Sequence, residues 1–333
     1  MTRRARSRPA LSPARRPAGQ GRSRLIRARG IALGLAAASV SVALVACGSP
    51  PQHRTATVRL AASADAVASA PVRVAHTKLG NVGYRLVGAG PPLVMITGYT
   101  ATMKSWDPWF VGALAEHYRV LIFDNAGVGR SQALPAPLTI DAMADQTSAL
   151  IDALGLGRPD VLGWSMGGTI AQALAVLHPA QVRRLVLCAT FPGTGRIAPP
   201  SQAAVQALTS GNLLGVMADL FPANQAAAQR AYLLAIAAYP QLTPAPAAAI
   251  AGQGQAMNVW LGGTDPAGRK TGTISAPTLI ADGSIDRLDP AANDYALARL
   301  IPGARLKLYP DAGHGFLFQD EKTFVPLIEA FLR

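Results

Sequence analysis

Residues 163–167 read G-W-S-M-G, a G-x-S-x-G pattern placed between two apolar runs of different character. The run that ends in Val161 and Leu162 fits the end of a buried strand, and residues 169–178 show helical periodicity. A serine on such a sharp strand-to-helix turn has a strained backbone, which is tolerated only beside residues without side chains. The pattern predicts that Ser165 is an exposed nucleophile at a helix N-terminus.

Short apolar runs alternate with helical runs over residues 72–191 and 276–333, which predicts a parallel sheet covered by helices on both faces. The predicted strands are 72–79, 82–87, 92–96, 118–123, 161–163, 182–189, 278–281 and 305–309. Residues 192–275 interrupt this alternation, are rich in Ala, Pro and Gln, and contain helical runs at 202–208, 225–238 and 247–257. We therefore expect a helical cap inserted over one end of the sheet.

The formal net charge of +13 is concentrated at the N-terminus, where ten arginines lie between Arg3 and Arg29. Without them the remaining chain carries only +3, and it has no basic stripe with interleaved aromatic residues. The composition therefore argues against a nucleic-acid partner. The apolar run 31–46 that follows is shorter than the roughly 20 residues of a membrane-spanning helix.

We predict an export signal over residues 1–46. The pattern is typical of such signals, because a basic region is followed by an apolar run and by small residues before Cys47. The sequence L-V-A-C at 44–47 resembles the lipobox of bacterial lipoproteins. That resemblance implies a lipid on Cys47 and an exported protein anchored to the outer face of the bacterial cell membrane. The alternative is an ordinary signal or membrane anchor with a chance cysteine. Residues 47–71, rich in Ala, Ser, Thr and Pro, are predicted to be a flexible tether.

Ser165 needs a general base, because a serine hydroxyl is a poor nucleophile near neutral pH. Of the five histidines, only His314 lies on a loop after the last predicted strand, between two glycines that permit close approach to the serine turn. The acid is expected after the strand 278–281, where Asp282, Asp286 and Asp289 are candidates. Asp286 is preferred because it lies in a turn beyond the strand end, whereas Asp282 is placed to bond the turn backbone.

Negative charge that develops on a carbonyl oxygen needs preorganised donors. The residue after the nucleophile, Met166, supplies one backbone N–H, and the loop after the strand 92–96 supplies a second, which we assign to Tyr99. Both donors are backbone groups, so their side chains are free to vary.

These motifs together resemble the α/β-hydrolase superfamily over nearly all of residues 72–333. The order Ser165, Asp286, His314 is that family's order, and D-N-A-G-V-G-R-S at 124–131 is similar to its D-x-x-G-x-G-x-S pattern. The resemblance implies a mostly parallel eight-stranded sheet with helices on both faces and a helical cap. In one respect the chain departs from the family, which usually has His-Gly where this chain has T-G at 97–98. That histidine orders the loop and does no chemistry.

The predicted function is that of a serine hydrolase, carboxylesterase-like (EC 3.1.1), that cleaves an ester or similar acyl group through an acyl-enzyme. The cap favours apolar acyl or alcohol groups. Its charged residues are only Arg196, Asp219, Arg230, Asp265, Arg269 and Lys270. One alternative is perhydrolysis, carbon–carbon bond hydrolysis or lyase chemistry by the same triad, and a second is a non-catalytic lipid-anchored surface protein.

Neither a cofactor nor a metal is expected. The two cysteines, Cys47 and Cys188, are too far apart in sequence for a metal motif. Cys188 lies in a strand-like apolar run and is predicted to be buried. The glycines of 127–129 lack the third glycine and the lysine of a phosphate-binding loop.

Overall fold

The computed structural model of the protein describes residues 64–240 and 244–333. The predicted signal peptide, Cys47 and the tether up to residue 63 lie outside the described residues. Eight strands form one sheet in the order β1-β2-β4-β3-β5-β6-β7-β8. They are β1 (Arg73–Thr77), β2 (Gly80–Val87), β3 (Pro92–Ile96), β4 (Arg119–Phe123), β5 (Asp160–Trp164), β6 (Leu185–Cys188), β7 (Thr278–Gly283) and β8 (Arg305–Tyr309).

Only the pairings of β1 with β2 and of β2 with β4 are antiparallel, and the other five are parallel. β5, β6 and β7 are buried along their whole length, as strands covered on both faces must be. The carboxyl ends of the parallel strands therefore meet at one edge of the sheet, where loops can bring distant residues together. The predicted fold class, a mostly parallel eight-stranded α/β-hydrolase sheet, is confirmed.

Among the described residues from 73 onward, six α-helices belong to the sheet layers and four to the inserted segment. The first group is α1 (Pro108–Ala115), α2 (Ile140–Ala153), α3 (Met166–Leu177), α8 (Ala292–Leu300), α9 (Phe316–Gln319) and α10 (Glu321–Leu332). The second is α4 (Gln202–Ser210), α5 (Leu213–Leu220), α6 (Ala226–Ile236) and α7 (Ala247–Leu261). No helix among the described residues is long and apolar enough to cross a bilayer.

Two apolar clusters fill the space between the sheet and its helices. In one, Phe110 of α1 stacks on Phe324 of α10, with ring centroids 6.1 Å apart. The other contains Ile140 and Leu150 of α2 and Leu174 of α3. Helix α10 buries one apolar face in this way, whereas α3 is buried on all sides over residues 166–175.

Residues 64–69 are helical, which corrects the C-terminal part of the predicted tether (47–71). Val67 and Ala68 are buried in the apolar core. The reason lies in Arg85, whose buried guanidinium donates from Nη1 to the carbonyl oxygens of Val67 (2.7 Å) and Ala68 (2.8 Å). A buried charged donor without acceptors would be costly, so this segment is held against the domain.

Helix α5 was not predicted, although the cap boundaries 192–275 enclose all four helices α4–α7. Its sequence, LLGVMADL, is a nearly continuous apolar run with no periodicity that separates a helix from a strand. The available signal was Asn212, whose side chain accepts from the N–H of Gly215 at 3.2 Å and so caps the helix.

Candidate active site

Ser165 stands between β5 and α3 with φ 58° and ψ −126°, a strained conformation for a residue with a side chain. Its N–H donates to the carbonyl oxygen of Cys188 (2.9 Å), and its own carbonyl accepts from the Thr190 hydroxyl (2.8 Å). Both partners follow or end the neighbouring strand β6. The end of β6 thus fixes both the N–H and the carbonyl group of Ser165, whose hydroxyl lies at the edge where the parallel strands end.

The two glycines of the pattern are required by close backbone packing. A Cβ on Gly163 would collide with the carbonyl of Gly167, and a Cβ on Gly167 would collide with the carbonyl of Ile96. The strand and the helix can therefore cross at Ser165 only because both positions lack side chains. The geometry is that of a nucleophile elbow.

His314 lies on the loop between β8 and α9, and its Nδ1 is 2.6 Å from Oδ2 of Asp286. Both residues are buried. The other carboxylate oxygen of Asp286 accepts from the N–H groups of Leu288 (2.7 Å) and Asp289 (2.9 Å). An ionised carboxylate only accepts, so the proton of a neutral imidazole at this position sits on Nδ1, and Nε2 is then able to accept a proton.

The other two acids considered for this loop do not bond to His314 in the described part of the chain. Asp282 accepts from the N–H of Gly283 (2.6 Å), and Asp289 accepts from the amide of Asn293 (2.8 Å). Burial, followed by the charges of neighbouring carboxylates, raises the pKa of both Asp282 and Asp289 well above the usual value. Burial therefore favours the neutral form of both carboxyl groups.

Asp282, Asp289 and Asp294 form a fully buried acidic cluster, with one carboxylate oxygen of each within 4.8 Å of the others. Burial raises the pKa of Asp294 to about 8. Three carboxylates at this spacing could coordinate a cation only if they lost their protons, which burial opposes. The expectation that the protein needs no metal stays a prediction.

The two predicted oxyanion donors lie on either side of Ser165. Met166 is the first residue of α3, whose N-terminal N–H groups have no partner within the helix. Tyr99 follows Gly98, where an added Cβ would lie only 3.2 Å from Cβ of Ser165. Within residues 64–240 and 244–333, the N–H groups of Tyr99 and Met166 have no acceptor. Both are available to a substrate oxygen.

Two positioning contacts near these residues were missed by the sequence reasoning. The side-chain amide of Asn125, the second residue of the 124–131 motif, donates to the carbonyl of Thr97 (2.9 Å). The indole of Trp164 donates to the carbonyl of His314 (3.0 Å). The only indication in the sequence was that Asn125 and Trp164 each lie within a recognised motif. Their partners are 28 and 150 residues away, respectively, which no local pattern shows.

The cap also holds the histidine loop. The N–H of His314 donates to the carbonyl of Asp219 (3.1 Å), and the N–H of Gly315 donates to that of Leu220 (2.9 Å). Asp219 and Leu220 are the last residues of α5, where helical carbonyls lack partners inside the helix. Helix α5 therefore satisfies its own C-terminus by fixing the loop that carries the imidazole.

Ser165 and His314 both line a cavity of about 300 Å³ between the sheet edge and the cap. No hydrogen bond joins the Ser165 hydroxyl to His314 in the described residues, and such contacts commonly tighten only when substrate binds. The cavity wall has no Asp, Glu, Lys or Arg among the described residues. Apart from two tyrosines, the apolar residues in it are Ala101, Trp164, Leu208, Leu213, Val216, Met217, Leu220, Ile236 and Leu288.

The class of α/β hydrolases is defined by a mostly parallel sheet with a serine at a strand-to-helix elbow and a histidine loop paired to an acid. In this structure two backbone N–H groups without acceptors among the described residues lie beside that serine. The chain belongs to this family, since the profile described as "alpha/beta hydrolase fold" matches residues 91–321. The protein is therefore an α/β-family hydrolase.

Similar proteins differ in what they act on. The chain is 29% identical over 262 residues to a 2-hydroxymuconate semialdehyde hydrolase of Pseudomonas sp. (strain CF600), covering 74% of this chain and 88% of that protein. It is 30% identical over 254 residues to a poly(3-hydroxyalkanoate) depolymerase of Ectopseudomonas oleovorans, covering 73% and 84%. Among solved structures, the enol-lactonase of Burkholderia xenovorans LB400 superposes with a TM-score of 0.63 at 26% identity, covering 78% and 99%.

Proposed function

We propose that the protein is a serine esterase that cleaves an apolar ester or similar acyl substrate through an acyl-enzyme. The observation that carries the proposal is the pairing of His314 with Asp286 at 2.6 Å, beside a cavity that also exposes Ser165. An imidazole whose Nδ1 is held by a carboxylate has its Nε2 available as a base for the serine hydroxyl.

In the proposed mechanism, Ser165 Oγ attacks the substrate carbonyl while His314 Nε2 takes its proton. The N–H groups of Tyr99 and Met166 bind the oxygen as it becomes negative. The imidazolium then protonates the leaving alcohol, and the C–O bond breaks to leave the acyl group on the serine. A water molecule, deprotonated by His314, attacks this ester and releases the acid, which restores the enzyme.

The cavity supports the choice of an apolar substrate. An ionised acyl group would lose its hydration against a wall without opposite charges, which is unfavourable. The volume of about 300 Å³ is at the lower end of ligand pockets, which favours short and medium chains over large ones. Two of the similar proteins, a depolymerase of poly(3-hydroxyalkanoate) and an enol-lactonase, are named for substrates of the acyl class.

A chain-length series of p-nitrophenyl esters tests this substrate class. Each methylene added from acetate to hexanoate is expected to raise kcat/KM by about fourfold, because burial of one CH₂ contributes about 0.8 kcal/mol. The increase should stop when the cavity is filled. The p-nitrophenyl monoester of succinate serves as the charged control, and it should react at least about tenfold more slowly than the butyrate. Faster turnover of the succinate ester would refute an apolar site.

For the N-terminus, we propose that Cys47 carries lipid and anchors the exported enzyme to the outer face of a bacterial cell membrane. Support comes from the basic region, the apolar run and L-V-A-C at 44–47. With two acyl chains or more on one residue, membrane binding is effectively stable.

The lipid anchor predicts that the enzyme, expressed with its full N-terminus in a bacterial host, incorporates radiolabelled palmitate and sediments with membranes. Cys47→Ser should lose the label and release activity into the soluble extracytoplasmic fraction. Cys188→Ser, which alters the buried cysteine, is the matched control and should stay labelled. Equal labelling of the Cys47→Ser variant would eliminate the anchor.

A further inference from the structure

We infer that Gln253, on the cap helix α7, is the positioning residue that orders the oxyanion loop 97–101 in this protein. The inference rests on the proposed function, because it concerns the N–H donor assigned to Tyr99. It places part of the catalytic preorganisation in the cap, outside the sheet edge that carries the triad.

The first observation is the contact of Gln253 with the loop. The N–H of Thr100 donates to Oε1 of Gln253 at 2.7 Å. Thr100 has φ 57°, a left-handed conformation that is unfavourable for a β-branched residue unless neighbouring groups hold it. The Thr100 N–H belongs to the peptide unit that directly follows Tyr99, so this bond fixes the orientation of the chain beside the donor.

Gln253 is suited to this task because it is completely buried and both ends of its amide group face polar partners. Its exposed fraction is 0%. Its amide nitrogen approaches the carbonyl of Ala126, in the 124–131 motif, at 3.5 Å, a long contact. One neutral side chain thus contacts the two loops that flank the serine. Because the group is uncharged, it adds no field that would oppose charge on the substrate oxygen.

A second contact ties the same loop to the same helix. The Tyr99 hydroxyl donates to the carbonyl of Ile250 at 2.9 Å. Residues 250 and 253 are three apart and lie on one face of a helix. Two consecutive loop residues, Tyr99 and Thr100, are therefore bonded to a single face of α7.

The side chain of Thr97, the first residue of the oxyanion loop, does not hold that loop in place. The hydroxyl of Thr97 is buried and has no hydrogen-bond partner among the described residues. Asn125 fixes the carbonyl of Thr97, but that contact lies two residues before the donor. The loop is thus held at one end by the sheet edge, and beside the donor by Gln253 and the carbonyl of Ile250 on the cap.

Gln253→Met tests the inference, since methionine has a similar shape but no hydrogen-bonding oxygen or N–H. We expect kcat for p-nitrophenyl butyrate to fall by about 10- to 100-fold, somewhat less than the 10²- to 10³-fold typical when a donor is removed outright. KM should stay within about twofold, because the loop acts on the transition state. The rate of labelling by a fluorophosphonate, whose adduct places an oxygen in the same site, should fall in parallel with kcat.

Two further variants separate positioning from general destabilisation. Gln253→Glu keeps an acceptor oxygen at the same reach in either protonation state, and its kcat should lie above that of the methionine variant. Trp260→Phe removes the bond from the indole to the carbonyl of Phe191 (3.1 Å), which anchors α7 without touching the loop. It should lower Tm while kcat stays within about twofold of the unmodified enzyme.

A Gln253→Met enzyme with unchanged kcat and labelling rate would overturn the inference. A loss of kcat that Trp260→Phe reproduces at equal loss of Tm would overturn it too, because cap anchoring alone would then explain the effect. Failure of the unmodified enzyme to react with the fluorophosphonate would instead reject the serine mechanism itself, so the two failures are distinguishable.

Discussion

Ser165→Ala is expected to lower kcat for p-nitrophenyl butyrate by at least about 10⁴-fold and to abolish labelling by a fluorophosphonate. The variant lacks the oxygen that attacks the carbonyl, so only binding and the oxyanion donors remain, and these give a small residual rate. His314 and Asp286 keep their 2.6 Å contact, since neither bonds to the Ser165 hydroxyl in the described chain. The two measurements are steady-state turnover of the purified variant and mass spectrometry of the labelled peptide.

Ser165→Gly is the matched control for folding. Ser165 has φ 58°, and glycine adopts this conformation without strain. We expect Ser165→Gly to be as inactive as Ser165→Ala but to have the higher Tm of the two, because it relieves about 1–3 kcal/mol of backbone strain. Turnover or labelling that persists in both variants would place the nucleophile at another residue.

The sequence predicted those parts of the molecule that depend on local patterns. Strand β8 was predicted with its observed bounds, and the buried parallel strands were visible as short apolar runs between turns. The serine elbow was readable because Gly163 and Gly167 are forced by backbone collisions that no other residue type avoids. Periodicity and steric exclusion both act over a few residues, so they can be recognised in short stretches of the sequence.

Other parts of the fold depend on contacts between distant segments, which local sequence patterns do not show. Helix α5 buries Met217 and Leu220 but leaves Leu213 and Leu214 exposed, so its apolar residues do not mark a single buried face. Its contact with the histidine loop is made by its C-terminal carbonyl groups, which no side-chain pattern shows. The composition of residues 64–69 predicted a flexible tether. In the structure this segment is helical, and a buried arginine on β2 holds it by two hydrogen bonds. The bond from Thr100 to Gln253 spans 153 residues. Such contacts follow from the assembled fold, so sequence composition could not predict them.

Asp286→Asn is expected to lower kcat by about 10⁴-fold, the size of the effect that the same change has in a serine-protease triad. The geometry at Asp286 explains why. Oδ1 accepts from two backbone N–H groups, those of Leu288 and Asp289, so an asparagine must place its oxygen there. Its NH₂ group then faces Nδ1 of His314. The imidazole must accept at Nδ1, its proton moves to Nε2, and it can no longer deprotonate the serine.

Asp289→Asn is the control that makes this prediction specific. Asp289 is also buried and lies three residues away, but among the described residues its carboxylate accepts from Asn293 and does not bond to His314. Its kcat should stay within about threefold of the unmodified enzyme. If Asp289→Asn abolished turnover and Asp286→Asn did not, the acid would be misassigned. If neither variant lost activity, the histidine would be oriented without a carboxylate, and the hydrogen bond at 2.6 Å would be only structural.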